Sequence, residues 1–79
     1  MTEEKQQIAN RIAEIISEAR MRKNYSRYEL SKRTGIDKSQ IIRIERGDNI
    51  PRVDTLMKIF DALSLQVRIT QPDLIHIFK

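Results

Sequence analysis

The sequence predicts a mainly α fold: four helices within residues 1–64, followed by a short C-terminal β-strand in a tail of residues 65–79. Three patterns carry that prediction. Apolar residues recur at intervals of three and four in two stretches, Ile8 to Ala19 and Val53 to Leu63, which is the period of an amphipathic helix. Between them lie two short segments, Ser26 to Gly35 and Asp37 to Gly47, each opened by a capping residue and closed by a glycine. Beyond Leu65 apolar and polar residues alternate strictly, as in a half-buried strand.

The first helix is expected from residue 3 to about residue 23, with Ile8, Ile12, Ile15, Ile16 and Ala19 on one stripe. Glu3 and Glu4 lie near its start and Arg20, Arg22 and Lys23 near its end, the order that suits the helix dipole. Ser26 then opens a second helix, with Glu29 at capping-box spacing and Tyr25 and Leu30 placed as a hydrophobic staple. Leu30, Ser31 and Thr34 are expected to face inward, and Gly35 to end the helix in a left-handed turn. Asp37 opens the third helix, with Gln40 at its third position and Ile36 and Ile41 as a second staple. Ile41 and Ile44 turn to the core, and Gly47 stops the helix. The fourth runs from about Arg52 or Val53 to Leu63, its stripe made of Val53, Leu56, Ile59, Phe60 and Leu63, with Met57 as core or interface filler.

In the tail, Leu65, Val67 and Ile69 alternate with Gln66, Arg68 and Thr70; Pro72 ends the strand, and Leu74, Ile75, Ile77 and Phe78 form a second apolar segment. A lone strand leaves its backbone donors and acceptors unpaired. Its partner is either the tail, as a hairpin, or the same strand of a second copy. The expectation favours the second copy, with Leu65, Val67 and Ile69 as dimerisation residues.

Composition narrows the function. At 79 residues the chain is one domain, able to bury only about 60% of its unfolded surface. It has no cysteine, so neither a disulfide nor Cys-based zinc staples it. His76 is the single histidine and has no second soft ligand nearby; no metal and no cofactor are expected. With no carboxylate–histidine grouping and no glycine-rich phosphate loop, an enzyme is not expected. No apolar run is long enough to span a bilayer, and the first seven residues are too polar and acidic for a signal peptide. A soluble, cytoplasmic chain with no membrane partner is therefore expected. The net charge of +4 is modest, but ten basic residues against four acidic ones lie between Arg20 and Arg52. Such a concentration suits a polyanion-binding face.

Two capped helices joined by a Gly-Ile-Asp turn match the helix-turn-helix motif. The order S-R-Y-E-L-S-K-R-T-G-I-D-K-S-Q-I-I-R-I-E-R-G, followed by a Pro-initiated amphipathic helix, resembles the Cro and phage-repressor (lambda-repressor-like, XRE-type) DNA-binding domains. The resemblance covers roughly Ile8 to Leu65. It implies an ion pair between Arg20 and Glu45, and a phosphate contact by Arg27, where the family often has glutamine. The chain departs from the family pattern at Ser31 and Thr34, where alanine and a larger aliphatic residue are common. It departs again at Arg52, where a serine cap is common, and at Ser64, where glycine is common.

Helix geometry assigns the base-reading roles. Lys38, Ser39, Ile42 and Arg43 fall opposite Ile41 and Ile44, available to a groove. Lys38 and Arg43 suit guanine O6 and N7, Ser39 suits several base edges, and Ile42 suits either a thymine methyl or a half-buried shoulder of the helix. Arg27, Tyr28, Arg46, Asn49 and Arg52 are the candidate phosphate contacts, which set register without reading sequence.

The leading expectation is a sequence-specific regulator of transcription, binding double-stranded DNA as a homodimer on a palindromic operator. Family activators often present acidic residues on the first motif helix; Arg27, Lys32 and Arg33 stand there instead, which leans toward repression. The tail also resembles small antitoxins built on this domain, so the alternative is an antitoxin that binds DNA and masks a partner toxin.

Overall fold

The structure, a computed structural model, describes residues 1–70 and 74–78, with side-chain surroundings for residues 1–66. Four helices follow one another: α1 (Glu3–Arg22), α2 (Arg27–Thr34), α3 (Lys38–Glu45) and α4 (Val53–Ala62). They are followed by two strands, β1 (Gln66–Thr70) and β2 (Leu74–Phe78). The helices enclose one apolar cluster, in which Ile15, Ile16, Leu30, Ile41, Ile44, Ile59 and Phe60 are almost wholly buried. Helices α2 and α3 are eight residues each, too short to persist alone in water. Each is held by what it buries: Leu30 for α2, and Ile41 with Ile44 for α3, at about 1.5–3 kcal/mol per buried side chain.

Helix ends follow local chemistry. Thr2 Oγ1 accepts the Lys5 amide at 3.1 Å at the start of α1, and Ser26 Oγ accepts the Glu29 amide at 3.0 Å at the start of α2. The reciprocal half of the α2 capping box does not form, because the Glu29 carboxylate is taken by Arg33 one turn later, at 3.2 Å. At α3 the Asp37 side chain makes no cap bond. That corrects the expected Asp37–Gln40 box: the Asp37 carbonyl alone accepts, from the amides of Gln40 and Ile41 at 3.0 and 3.1 Å. Three helices close with paired Schellman bonds. After α1, Asn24 and Tyr25 donate to Met21 and Arg20; after α3, Gly47 and Asp48 donate to Ile44 and Arg43; after α4, Ser64 and Leu65 donate to Asp61 and Phe60. Asn24 and Ser64 take φ 59° to do so.

Ser31 and Thr34, the polar departures in α2, tie the turn that follows. Ser31 Oγ donates to the Ile36 carbonyl, and Thr34 Oγ1 both donates to the Leu30 carbonyl at 2.8 Å and accepts the Ile36 amide at 3.2 Å. Half-buried hydroxyls therefore do the work that apolar packing would otherwise do, with no buried side-chain polar atom left unpaired among the described residues.

Several expectations are corrected here. Ile8 is 45% exposed, because the N-terminal part of α1 turns its Gln6, Ala9 and Asn10 side toward the end of α3. Val53 and Met57 are 75% and 48% exposed; they lie on the outer flank of α4, and the buried stripe narrows to Ile59, Phe60 and Leu63. The tail also differs. β1 pairs with β2 of the same chain, antiparallel, in a register that sets Val67 opposite Ile77 and Ile69 opposite Ile75. The second apolar segment thus supplies the strand that a second copy was expected to supply. Leu65, assigned to dimerisation, is 8% exposed within the chain's own core, drawn there by the closing turn of α4. The side chains of Val67, Ile69 and His76, and Pro72 altogether, lie outside the described residues.

Candidate nucleic-acid interface

The outward face of α3 follows from its inward one. With Ile41 and Ile44 at 0% and 1% exposure, the helical repeat turns Lys38, Ser39 and Arg43 to solvent, and all three are exposed. Ile42 is half-buried on the flank. The turn entering α3 is set by Gly35 at φ 76°, a conformation in which a Cβ is strained.

The C-terminal end of α3 is clamped from α1 at two points. Arg20 donates to Glu45 from Nε to Oε2 at 2.8 Å and from Nη2 to Oε1 at 3.1 Å, while its Nη1 donates to the Tyr25 carbonyl at 2.8 Å. The side chains of the pair are 11% and 1% exposed, so this is a buried pair. Breaking it leaves a buried carboxylate only partly compensated, a cost above the figure for a surface pair. The second clamp was not foreseen. Gln6 Nε2 donates to the Gly47 carbonyl at 2.9 Å and to Asn10 Oδ1 at 2.8 Å. Gly47 stands at φ 75°, and a Cβ there would sit 2.6 Å from Asn10 Oδ1. The contact joins residues 41 apart, and a polar pair at the start of α1 gives no local signal of it.

The residues assigned to phosphate lie on α2 and on the segment that follows α3. Arg27 is 46% exposed and donates from Nε to Glu45 Oε1 at 3.1 Å, a second arginine on the same carboxylate. Tyr28 is 60% exposed, with the Lys32 ammonium 5.5 Å from its ring centroid. Arg46 and Arg52 are 67% and 86% exposed and lie 3.6 and 3.4 Å from Asp48 and Asp54. Such exposed pairs are worth little, so they yield readily to a competing anion. Asn49 is exposed beside them. Across α2, Arg33 stacks its guanidinium 4.4 Å from the Tyr25 ring. Among the described residues no helix is long and apolar enough to cross a membrane.

Residues 16–68 match the family model HTH_3, Helix-turn-helix. Covering more than half of the chain, that match makes it a member of the helix-turn-helix family of XRE or lambda-repressor-like DNA-binding domains. Its four-helix fold agrees with that membership. The chain is also similar to a crystal structure of an HTH_3 family transcriptional regulator from Vibrio cholerae, with a TM-score of 0.72 and 28% identity. The match covers 76% of this chain and 34% of that one, so this chain spans about a third of that protein's length. No curated protein matches it.

Proposed function

We propose that this chain is a sequence-specific, dimeric repressor of transcription, acting by occupancy of a palindromic operator. One observation carries the reading: a helix whose inner face is buried and whose end is doubly clamped presents Lys38, Ser39 and Arg43 outward as a rigid set. Lys38 and Arg43 donate to guanine edges in the major groove, Arg43 bidentately, and Ser39 adds a less selective contact. Ile42 packs its exposed edge on a thymine methyl. Arg27, Tyr28, Arg46, Asn49 and Arg52 grip phosphates on either side and supply the salt-dependent part of the affinity.

Among the described residues the sheet has two strands, so each is an edge strand. Antiparallel pairing of such an edge across a two-fold axis brings two protomers together, so that two α3 helices meet successive major grooves about 34 Å apart. The basic residues of α2, Arg27, Lys32 and Arg33, support repression over recruitment through acidic contacts.

Selection of bound duplexes from a random pool, followed by sizing of the complex, tests this directly. The expected result is a symmetric consensus bound by two chains. Arg43→Ala is expected to cost about 1–3 kcal/mol on that consensus and relax preference at one base pair. Equal losses on consensus and random duplex would remove Arg43 from base reading, and a pool that never enriches would remove sequence-specific recognition altogether.

A further inference from the structure

Glu45 serves two arginines at once. Its carboxylate is 1% exposed and takes Arg20 through two nitrogens and Arg27 through Nε. Arg20 is spent, because its remaining nitrogen Nη1 already donates to the Tyr25 carbonyl. Arg27 is not. Its side chain is 46% exposed, and the Nε bond to Glu45 is its one hydrogen bond among the described residues. Two guanidiniums facing one carboxylate leave one positive charge uncompensated, and it resides on the arginine that reaches solvent.

We infer that Glu45 is a positioning residue for a phosphate grip by Arg27. The buried carboxylate holds the guanidinium by Nε, so that its Nη1–Nη2 edge meets a backbone phosphate of bound duplex already ordered. The inference rests on the duplex-binding reading above. A free surface arginine loses much of its rotamer freedom when it engages a phosphate; here folding has already removed part of it. The terminal edge keeps the two parallel donors that a bidentate phosphate contact needs. Glu45 does not cancel the attraction, because Arg20 already neutralises it. Nor does the anchor drift with solvent, because Arg20 fixes the carboxylate from its buried side. Lysine at this position would keep the charge and lose both the Nε anchor and the fork.

The test is a double-mutant cycle on the full chain, read as affinity for a short random-sequence duplex over a salt series. The proteins are the unmodified chain, Arg27→Lys, Glu45→Gln and the double variant, each first checked for folded helix content by circular dichroism. Arg27→Lys is expected to weaken binding about tenfold, the worth of one charge-assisted hydrogen bond, with an unchanged salt slope because the charge is retained. In the Glu45→Gln background the same replacement is expected to cost about twofold or less, since the anchor is already gone. The cycle cancels whatever Glu45→Gln does through Arg20.

An equal cost in both backgrounds overturns the inference, as does tighter binding by Glu45→Gln than by the unmodified chain. A lowered unfolding midpoint with unchanged duplex affinity makes the Arg27–Glu45 bond purely structural and overturns it too. If Glu45→Gln does not fold, Arg27→Lys against the unmodified chain decides, because a lysine that binds as tightly as the arginine removes the positioned fork. Failure of the unmodified chain to bind any duplex defeats the duplex-binding reading itself, a result distinct from a flat cycle.

Discussion

Replacing Arg20 by methionine tests what holds α3 in place. The substitution keeps most of the aliphatic stem and removes the two donors that reach Glu45 at 2.8 and 3.1 Å, together with the one that reaches the Tyr25 carbonyl. Glu45, at 1% side-chain exposure, is left with Arg27 Nε at 3.1 Å as its remaining charged donor. Removing one partner of a buried pair costs about 3–5 kcal/mol, and the surviving bond offsets about 1–1.5 kcal/mol of that. A net loss of about 2–4 kcal/mol is therefore expected. A domain of this length has about 4–12 kcal/mol in all, so the loss is a large fraction of the whole. With a urea m-value near 1 kcal/mol/M, the unfolding midpoint followed by circular dichroism falls by about 2–4 M. Adding Glu45→Leu removes the stranded charge with its partner, so the double variant is expected to cost less than the two single losses summed. A loss below about 1 kcal/mol for Arg20→Met, the figure for an exposed pair, would refute the reasoning. Additive single costs would refute it equally, because both outcomes deny that burial of the carboxylate matters.

Further outcomes follow from backbone geometry and from packing of the tail. Ser64 stands at φ 59°, so Ser64→Gly is expected to stabilise by about 0.5–1 kcal/mol; a thermal midpoint that does not rise would deny the strain. Gly47→Ala meets both φ 75° and Asn10 Oδ1 at 2.6 Å and is expected to destabilise by about 1–3 kcal/mol, less when Asn10→Ala is present; urea midpoints of the pair of variants check this. Truncation after Gln66 is expected to leave the helices folded and the chain monomeric in sedimentation. Truncation before Leu65 is expected also to lower the thermal midpoint, because Leu65 belongs to the core at 8% exposure.

Most of the fold was legible in local signals. Ser26, Gly35, Gly47 and the three-and-four spacing of isoleucines mark helix starts, stops and inner faces, because capping and periodicity act within one or two turns of chain. The outward set on α3 was legible for the same reason: once Ile41 and Ile44 are assigned inward, the helical repeat sends Lys38, Ser39 and Arg43 the other way. Periodicity failed where the partner surface ran out. Ile8 and Val53 sit at apolar positions of their helices, yet among the described residues no neighbouring element covers them.

By itself, then, the chain's order of residues determined four helices, the Ser26 cap, the glycine stops and the polar face of the third, all consequences of short-range sterics and hydrogen bonding. The tertiary structure alone decided which residues meet across long separations. It brought Gln6 to Gly47, set Arg27 beside Arg20 on one buried carboxylate, drew Leu65 into the core and paired β1 with β2. Such contacts depend on how packed elements cross in space, and no local spacing encodes that.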